Sequence, residues 1–331
     1  MKKIILILLV AFSEIITAQT GFSEIAGRPG AFSRMGFGAR GKGMGNAMSA
    51  VIEGNLVSYY NPAVSVFQEG NSVQTAYSFL SLDRSLNFLN FTRKFVLGAK
   101  KNSDGSDFQS ALGVSLGVIN SGVDGWSERN NDGIPVGDLS TSENQFFLGL
   151  SNKFSEKFSA GVAFKLYYYK LYEGISATGL GLDIGLLYRL NENITIAAVV
   201  TDLNSKYEWD TSDLYGQQGN NTTNKFPITK KIGLSYKFDN PDLLAAIEFE
   251  NSNAGTNFIR IGAEYNIFEG LYLRSGLDNF NLSNTDFPVR PAFGFSYFYF
   301  LDNWFVGIDY AFAIEPYSSH DQHIVGVNIN L

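Results

Sequence analysis

The sequence predicts an all-β protein: a fourteen-stranded antiparallel transmembrane β-barrel closed around a small N-terminal plug that contains a short helix. Three observations carry that reading. From Asn71 to Leu331 apolar residues recur at every second position in fourteen successive segments. The connections between those segments alternate between shorter and longer. The stretch before Asn71 is rich in glycine and lacks the alternation.

Period-2 patterning is the mark of a strand, whose side chains point alternately to two faces. Between Phe158 and Tyr169 one face carries Phe158, Ala160, Val162, Phe164, Leu166 and Tyr168; the other carries Ser159, Gly161, Ala163, Lys165 and Tyr167. Leu180, Leu182, Ile184, Leu186, Tyr188 and Leu190 likewise oppose Gly179, Gly181, Asp183, Gly185 and Arg189. A helix would need a period near 3.6. In order, the strands are expected at 72–81, 84–99, 108–119, 143–153, 157–170, 174–190, 193–204, 227–238, 242–251, 256–267, 269–279, 288–300, 302–315 and 319–331.

The two longest connections, Asn120 to Ser142 and Ser205 to Phe226, are both odd-numbered, as is Phe280 to Phe287. Most even-numbered ones are tight turns. Up-and-down barrels of the outer membrane pair short periplasmic turns with longer extracellular loops, so the odd connections are assigned to the outside. Lys100 to Asp107 is longer than the other even connections.

Composition narrows the class. Lys2 and Lys3, the apolar run Ile4 to Phe12 and Ile16-Thr17-Ala18 form a secretory signal peptide, 1–18, cut after Ala18. Its loss removes two Lys and one Glu, taking the formal charge from −7 to −8. An acidic chain is a poor partner for nucleic acid. With no cysteine there is no disulfide framework and no thiolate metal site. Aromatic residues make up 15% of the chain, and Tyr167 to Tyr169, Tyr297 to Phe300, Trp304 and Tyr310 stand near strand ends, where membrane-interface girdles form. Outer-membrane lipid is therefore the first expected partner.

Residues 19–70 read as the plug and 71–331 as the barrel. So irregular a segment cannot face lipid, where unpaired backbone groups are costly, but it can be satisfied by the inner wall of a barrel. The short helix is expected within Met44 to Glu53. Gly36-Phe37-Gly38-Ala39-Arg40-Gly41 matches a dinucleotide-site pattern, but lacks the strand–turn–helix context that gives that pattern meaning; close packing against the wall is the better reading.

The run Gly38-Ala39-Arg40-Gly41-Lys42-Gly43-Met44-Gly45-Asn46-Ala47, followed by Tyr60-Asn61-Pro62-Ala63, resembles the N-terminal hatch of the PorV/PorQ family. Further similarities are Gly161-Val162-Ala163-Phe164-Lys165, Gly181-Leu182-Asp183-Ile184-Gly185, Thr201-Asp202-Leu203, Glu264-Tyr265 and Asp309-Tyr310-Ala311. That family is related to the FadL-type long-chain fatty-acid transporters. The resemblance implies a fourteen-stranded outer-membrane barrel, a hatch motif of Gly43, Met44, Gly45, Asn61, Pro62 and Ala63, and a non-enzymatic role beside type IX protein secretion, with exported cargo C-terminal domains or export components as partners. The alternative it implies is passive transport of a hydrophobic small-molecule ligand.

Charges recur on the polar faces of the strands: Asp183, Arg189, Glu248, Glu250, Arg260, Glu264, Arg274, Asp278 and Asp309. Alternating signs on neighbouring strands favour cross-strand pairs, so a lumen ladder that holds barrel and plug in register is expected, with a ligand or pore site as the alternative. No catalytic motif accompanies them, and no cofactor is indicated. His320 and His323, three apart on one strand, would face opposite sides and do not form a metal pair. Asp124, Glu128, Asp132 and Gly133 lack the order of a calcium loop. Asn220-Asn221-Thr222 and Asn221-Thr222-Thr223 mark an exposed segment. Trp126, Arg129 and Trp209, in the two longest loops, are the candidate partner contacts; Trp209 could equally anchor to lipid.

Overall fold

The computed structural model describes residues 24–101, 107–302 and 304–331; the expected signal peptide lies outside them. Strands β1 (Asn71–Phe79), β2 (Arg84–Lys101), β3 (Asp107–Arg129), β4 (Pro135–Lys153), β5 (Phe158–Tyr172), β6 (Ile175–Arg189) and β7 (Ile194–Leu203) form the first half of the wall. A small hairpin follows, β8 (Lys206–Asp210) and β9 (Asn221–Lys225), its link holding the four-residue helix Ser212–Tyr215. The wall resumes with β10 (Thr229–Phe238), β11 (Leu243–Ser252), β12 (Thr256–Phe268), β13 (Leu271–Asn281), β14 (Arg290–Leu301), β15 (Trp304–Ala313) and β16 (Gln322–Asn330).

Every wall strand pairs antiparallel with its neighbour in sequence, β7 skipping the hairpin to meet β10 through Thr201↔Thr229. Closure is made by β1 on β16, from Ser72↔Asn330 to Phe79↔His323. The result is a closed fourteen-stranded barrel with no free edge in its wall, the condition for strands to cross lipid.

Alternation sets the two faces. Phe164, Leu166, Leu180, Ile184, Leu186 and Ile308 point outward and stay exposed, Leu180 at 69%. Soluble monomers rarely expose apolar patches beyond a few hundred Å², so a belt of this kind fits lipid and excludes a water-soluble sandwich. The same rule splits the aromatic clusters read as girdles. Tyr168, Tyr297 and Tyr299 face out, whereas Tyr167 is fully buried and Phe298, alternating with them, turns to the lumen.

The two longest expected loops are largely ordered strand. β3 and β4 run past the rim, where β2 stops at Arg84↔Val123 and β5 at Ser142↔Lys170. Beyond that they pair only with each other, from Trp126↔Leu139 to Arg129↔Pro135. At about 3.3 Å per residue the free hairpin stands roughly 20 Å above the wall. Ser205 to Phe226 is likewise the β8–β9 hairpin, joined to β6 through Ala177↔Trp209. Turn residues at 130–134 and 211–220 had masked the polar strands flanking them.

The plug meets the wall at glycines. A Cβ on Gly276 would lie 2.1 Å from the Gly45 nitrogen, and one on Gly262 would lie 2.3 Å from the Met44 carbonyl oxygen. On the opposite wall, Gly161 faces the Pro62 carbonyl and Gly185 the Asn61 side chain. The small residues opposite the lipid-facing apolar ones are thus small because a second backbone lies against them. Gly276→Val should lower the melting temperature of the detergent-solubilised protein by the ~1–3 kcal/mol of an overpacked core or more. Leu277→Val, on the lipid face of the same strand, should be near neutral. Equal melting of the two variants would contradict the contact.

Candidate functional site

The plug enters at the long-loop end, where the Glu24 amide donates to the Ala254 carbonyl between β11 and β12 (3.0 Å). Two single 3-10 turns, Ile25–Gly27 and Phe32–Arg34, lead to α1, Gly38–Gly43. This helix precedes the Met44 to Glu53 segment in which one was expected. Gly45 and Asn46 both have positive φ, 58° and 61°, and the Asn46 amide donates back to the Gly41 carbonyl at 2.8 Å. A left-handed residue just past the last turn ends a helix, so the chain turns where helix was expected to begin.

A second turn, Pro62–Phe67, is capped by Asn61, whose Oδ1 accepts the Ala63 amide at 2.8 Å while Pro62 occupies the first position. The Asn61 Nδ2 donates to the Ser49 carbonyl at 2.8 Å, so one fully buried side chain ties three parts of the plug and wall together. Tyr60 closes the other end: its hydroxyl accepts the Phe37 amide (2.8 Å) and lies 2.9 Å from Asn46 Oδ1. A Cβ on Gly41 would strike that hydroxyl, which gives the glycine pattern at Gly36 to Gly41 a packing role rather than a phosphate-binding one.

Ion pairs weld plug to wall. Arg40 of α1 grips Glu264 of β12 with two bonds of 2.8 Å, Nε to Oε2 and Nη2 to Oε1. Glu264 also accepts from Arg274 Nε at 2.5 Å, and Arg274 continues through Ser296 to Asp309, which Asn328 also contacts. In a second node Arg260 reaches Glu248 (3.1 Å), Glu250 (2.9 Å) and Asp278 (2.7 Å), with Lys231 3.4 Å from Glu250. The plug joins it through Asn46 Nδ2 to Asp278 (2.8 Å) and the Ser49 amide to Glu248 (3.2 Å). A third node lies across the lumen, where Lys165 pairs with Asp183 (2.7 Å) and Asp202 (3.1 Å) and the Tyr167 hydroxyl donates to Asp202 at 2.5 Å.

Thus Asp183, Glu248, Glu250, Arg260, Glu264, Arg274, Asp278 and Asp309 lie buried in these nodes, while Arg189 stands apart, half-buried at the short-turn end. Sequence reasoning did not single out Arg40, Asn46, Lys165, Lys231 and Asp202 as site residues. Lys165 carries a readable signal, a charge on the small-residue face of β5, and Asp202 stands where β7 bulges against β6 with φ 60°. Arg40 sits in an irregular segment and carries none.

The plug divides the lumen into two chambers. The outer one, about 540 Å³ at the long-loop end, has walls that include Met35, Leu80, Phe258, Phe287 and Tyr317. Lys42 and Arg34 of the plug also line it. Arg34 donates only to the Pro29 and Arg28 carbonyls (2.7 and 3.3 Å), and neither cation has an ion-pair partner among the described residues. Burial pushes both below their usual basic range, against the opposing pull of Asp278 and Glu315 at Lys42 and of Asp202, Tyr167 and Glu250 at Arg34. The inner chamber, about 500 Å³, opens at the short-turn end, with Arg40 and Glu264 on its boundary.

The candidate partner residues separate. Trp126 is exposed on the β3–β4 hairpin, and a bulge between Val123 and Trp126 turns it toward the mouth-facing side that Leu139 shares with Gln145. Arg129 is at the hairpin tip, donating to the Gly133 carbonyl at 2.8 Å. Trp209 is neither a free anchor nor lipid-facing: it packs over Tyr169 and Tyr207 at ring distances of 5.3 and 5.8 Å. His320 lies in the loop before β16 rather than on the strand, and His323 meets the Tyr310 hydroxyl at 2.7 Å. Among the described residues no group of three or more His, Cys, Asp or Glu is placed to hold a metal.

The architecture is that of a plugged transmembrane barrel. No protein-family model matches the sequence, and no curated protein matches it. Solved structures do. A structure described as the CymD monoaromatic hydrocarbon channel superposes with a TM-score of 0.58 at 16% identity, over 90% of this chain and 98% of that one. The Pseudomonas putida toluene transporter TodX gives 0.53 at 17%, over 89% and 96%, and a Pseudomonas aeruginosa FadL homologue 0.54 at 10%, over 89% and 98%. At such identities the likeness establishes a shared fold, that of FadL-type outer-membrane barrels.

Arg260→Ala should cost about 3–5 kcal/mol, since it takes from three buried carboxylates the guanidinium they share and leaves one lysine, Lys231, near two of them. Asn61→Ala should cost roughly 1–3 kcal/mol through a lost cap and an unmade buried bond. Both are read as lowered melting temperature in detergent. An Arg260→Ala variant as stable as the parent would mean the node is not buried as described.

Proposed function

We propose that the protein is a non-enzymatic outer-membrane channel that admits hydrophobic small molecules bearing an acidic head group. One observation carries this reading: an outward-opening chamber with an apolar wall, lined by two cations, Lys42 and Arg34, that make no ion pair among the described residues, while its acids are committed elsewhere, Glu250 and Asp278 to Arg260 and Glu315 to Arg290. Phe258, Phe287, Tyr317, Leu80 and Met35 offer contact to an apolar body, at about 25 cal/mol per Å² removed from water. A carboxylate at the floor would give the buried cations their missing counter-charge. The similarly folded proteins described as a toluene transporter and a monoaromatic hydrocarbon channel support this reading over one in protein secretion.

With protein in lipid nanodiscs and decanoate as probe, Lys42→Gln should weaken binding about tenfold, the value of a hydrogen bond to a charged group. Decanol should be unaffected. Burial lowers the Lys42 pKa, so its charge is lost at lower pH than for an exposed lysine. Decanoate, ionised throughout, should therefore lose affinity as the pH rises, and do so before the range in which an ordinary lysine loses its charge, about 10.4, and Lys42→Gln should flatten that dependence. Equal decanoate binding by both proteins at neutral pH would refute the head-group role.

A second reading, a PorV/PorQ-like accessory of type IX secretion, is favoured by the free β3–β4 hairpin with exposed Trp126, Ile134 and Val136. Exposed aromatics on a rigid hairpin suit a protein contact. Deleting 124–139 should then abolish co-purification of export components or cargo while leaving decanoate binding intact; unchanged recovery counts against it.

A further inference from the structure

The inner chamber has features that the outward-facing site does not use. Its wall from β13 to β15 carries a bank of rings: Tyr272 and Phe298 at 5.6 Å, Phe298 and Phe305 at 5.2 Å, Phe300 and Phe305 at 5.7 Å. Phe300 shares the lumen-facing parity of Ser296 and lines the chamber, yet is 50% exposed. Lumen-facing rings elsewhere in the barrel, such as Phe88 and Phe147, are covered by Phe37 of the plug; Phe300 is not. An uncovered aromatic bank in a cavity of about 500 Å³ has the size and apolar lining that ligand pockets have.

The remaining lining holds buried polar atoms without a hydrogen-bond partner, one of them an acceptor, Asn266 Oδ1, and two of them donors. Asn55, 8% exposed, uses its Oδ1 at the edge of hydrogen-bonding range of Asn330 Nδ2 (3.5 Å), while its own Nδ2 has no partner. Arg189 Nε is buried and unpartnered, and the residue has no ion pair among the described residues, Glu156 being near enough to feel its charge but bonded to Lys153 instead. The chamber's other cations are committed: Arg40 and Arg274 to Glu264, Lys237 to Asp242. Glu53 and Glu69 also line it, neither within ion-pair distance of Arg189. A buried donor left unmade is unfavourable, and here two such donors, one of them cationic, share a cavity with exposed rings.

We infer that this chamber is a second ligand site, on the opposite side of the plug from the first, for small aromatic carboxylates. The rings take the flat apolar body. Arg189 takes the carboxylate and Asn55 Nδ2 offers a second hydrogen bond. Because the Arg40–Glu264–Arg274 pairs stand on its boundary and the plug separates it from Lys42 and Arg34, its occupancy is independent of the outer chamber, and the inference does not rest on the outer site binding decanoate.

The test uses the full chain in nanodiscs with 2-naphthoate and the uncharged 2-methylnaphthalene, followed by calorimetry. Arg189→Gln should weaken one 2-naphthoate site tenfold or more and leave 2-methylnaphthalene unchanged, and Arg189→Lys should retain most of the affinity. Phe298→Ala should weaken both probes at that site. A diazirine derivative of 2-naphthoate should label residues 269–305, and Lys42→Gln should not reduce that labelling. The inference is overturned if 2-naphthoate binding ignores Arg189→Gln, or if labelling is confined to the outer chamber; either result leaves the decanoate measurements standing. Should Arg189→Gln fail to fold, judged by heat-modifiable gel mobility, Arg189→Lys and the labelling pattern decide.

Discussion

An irregular backbone inside a barrel must find in the wall around it every hydrogen bond and contact that it cannot make within itself, and that constraint shapes the rest of this protein. Two devices meet it. Inward-facing glycines on β5, β6, β12 and β13 let the plug backbone approach to contact distance at Asn61, Pro62, Met44 and Gly45. Buried ion pairs and amide bonds then fix the register, Arg40 to Glu264 and Asn46 to Asp278 being the direct links. Neither device works alone. The glycines create a slot with little specificity, and the charges would be an expense without partners arriving from the plug.

The same polar nodes make the lumen discontinuous. A septum of paired guanidinium and carboxylate groups stands between the two chambers, which share no lining residue. What remains on either side is a chamber whose character follows from what the plug leaves uncovered. Toward the long loops it leaves apolar wall and two cations with no ion pair among the described residues. Toward the short turns it leaves aromatic rings and Arg189. The septum is therefore as much a part of the functional architecture as the cavities, because it makes them separate environments.

Much of the wall was legible in the sequence because the period of a strand is fixed by covalent geometry and lipid rewards alternation strictly. β5, β6 and β12 sit within two residues of where the pattern puts them. The misses share a cause. β3 and β4 continue for ten and eight residues past their expected ends, into Asp, Asn, Ser and Gly, since a hairpin above the membrane has water on both faces and needs no alternation. The β8–β9 hairpin was hidden for the same reason. Trp209 looked like a free anchor until its hairpin folded onto Tyr169 and Tyr207. The helix was expected a few residues late because its stop signal, Gly45-Asn46, lies within glycine-rich sequence that gives no single boundary.

The sequence by itself determined the number of wall strands, their closure, the face each residue takes and the presence of charges along the lumen, because all of these follow from local chain geometry and from hydrophobic alternation repeated strand by strand. Only the tertiary structure decided which charges meet. Glu264 and Arg40 are 224 residues apart, and no periodicity connects an irregular plug to a strand. It also decided which cations make no ion pair among the described residues: Lys42, Arg34 and Arg189 differ from Arg40 and Arg260 in what the fold sets opposite them, not in local sequence. Function follows from that remainder, since a binding site is made of the groups that folding leaves unsatisfied.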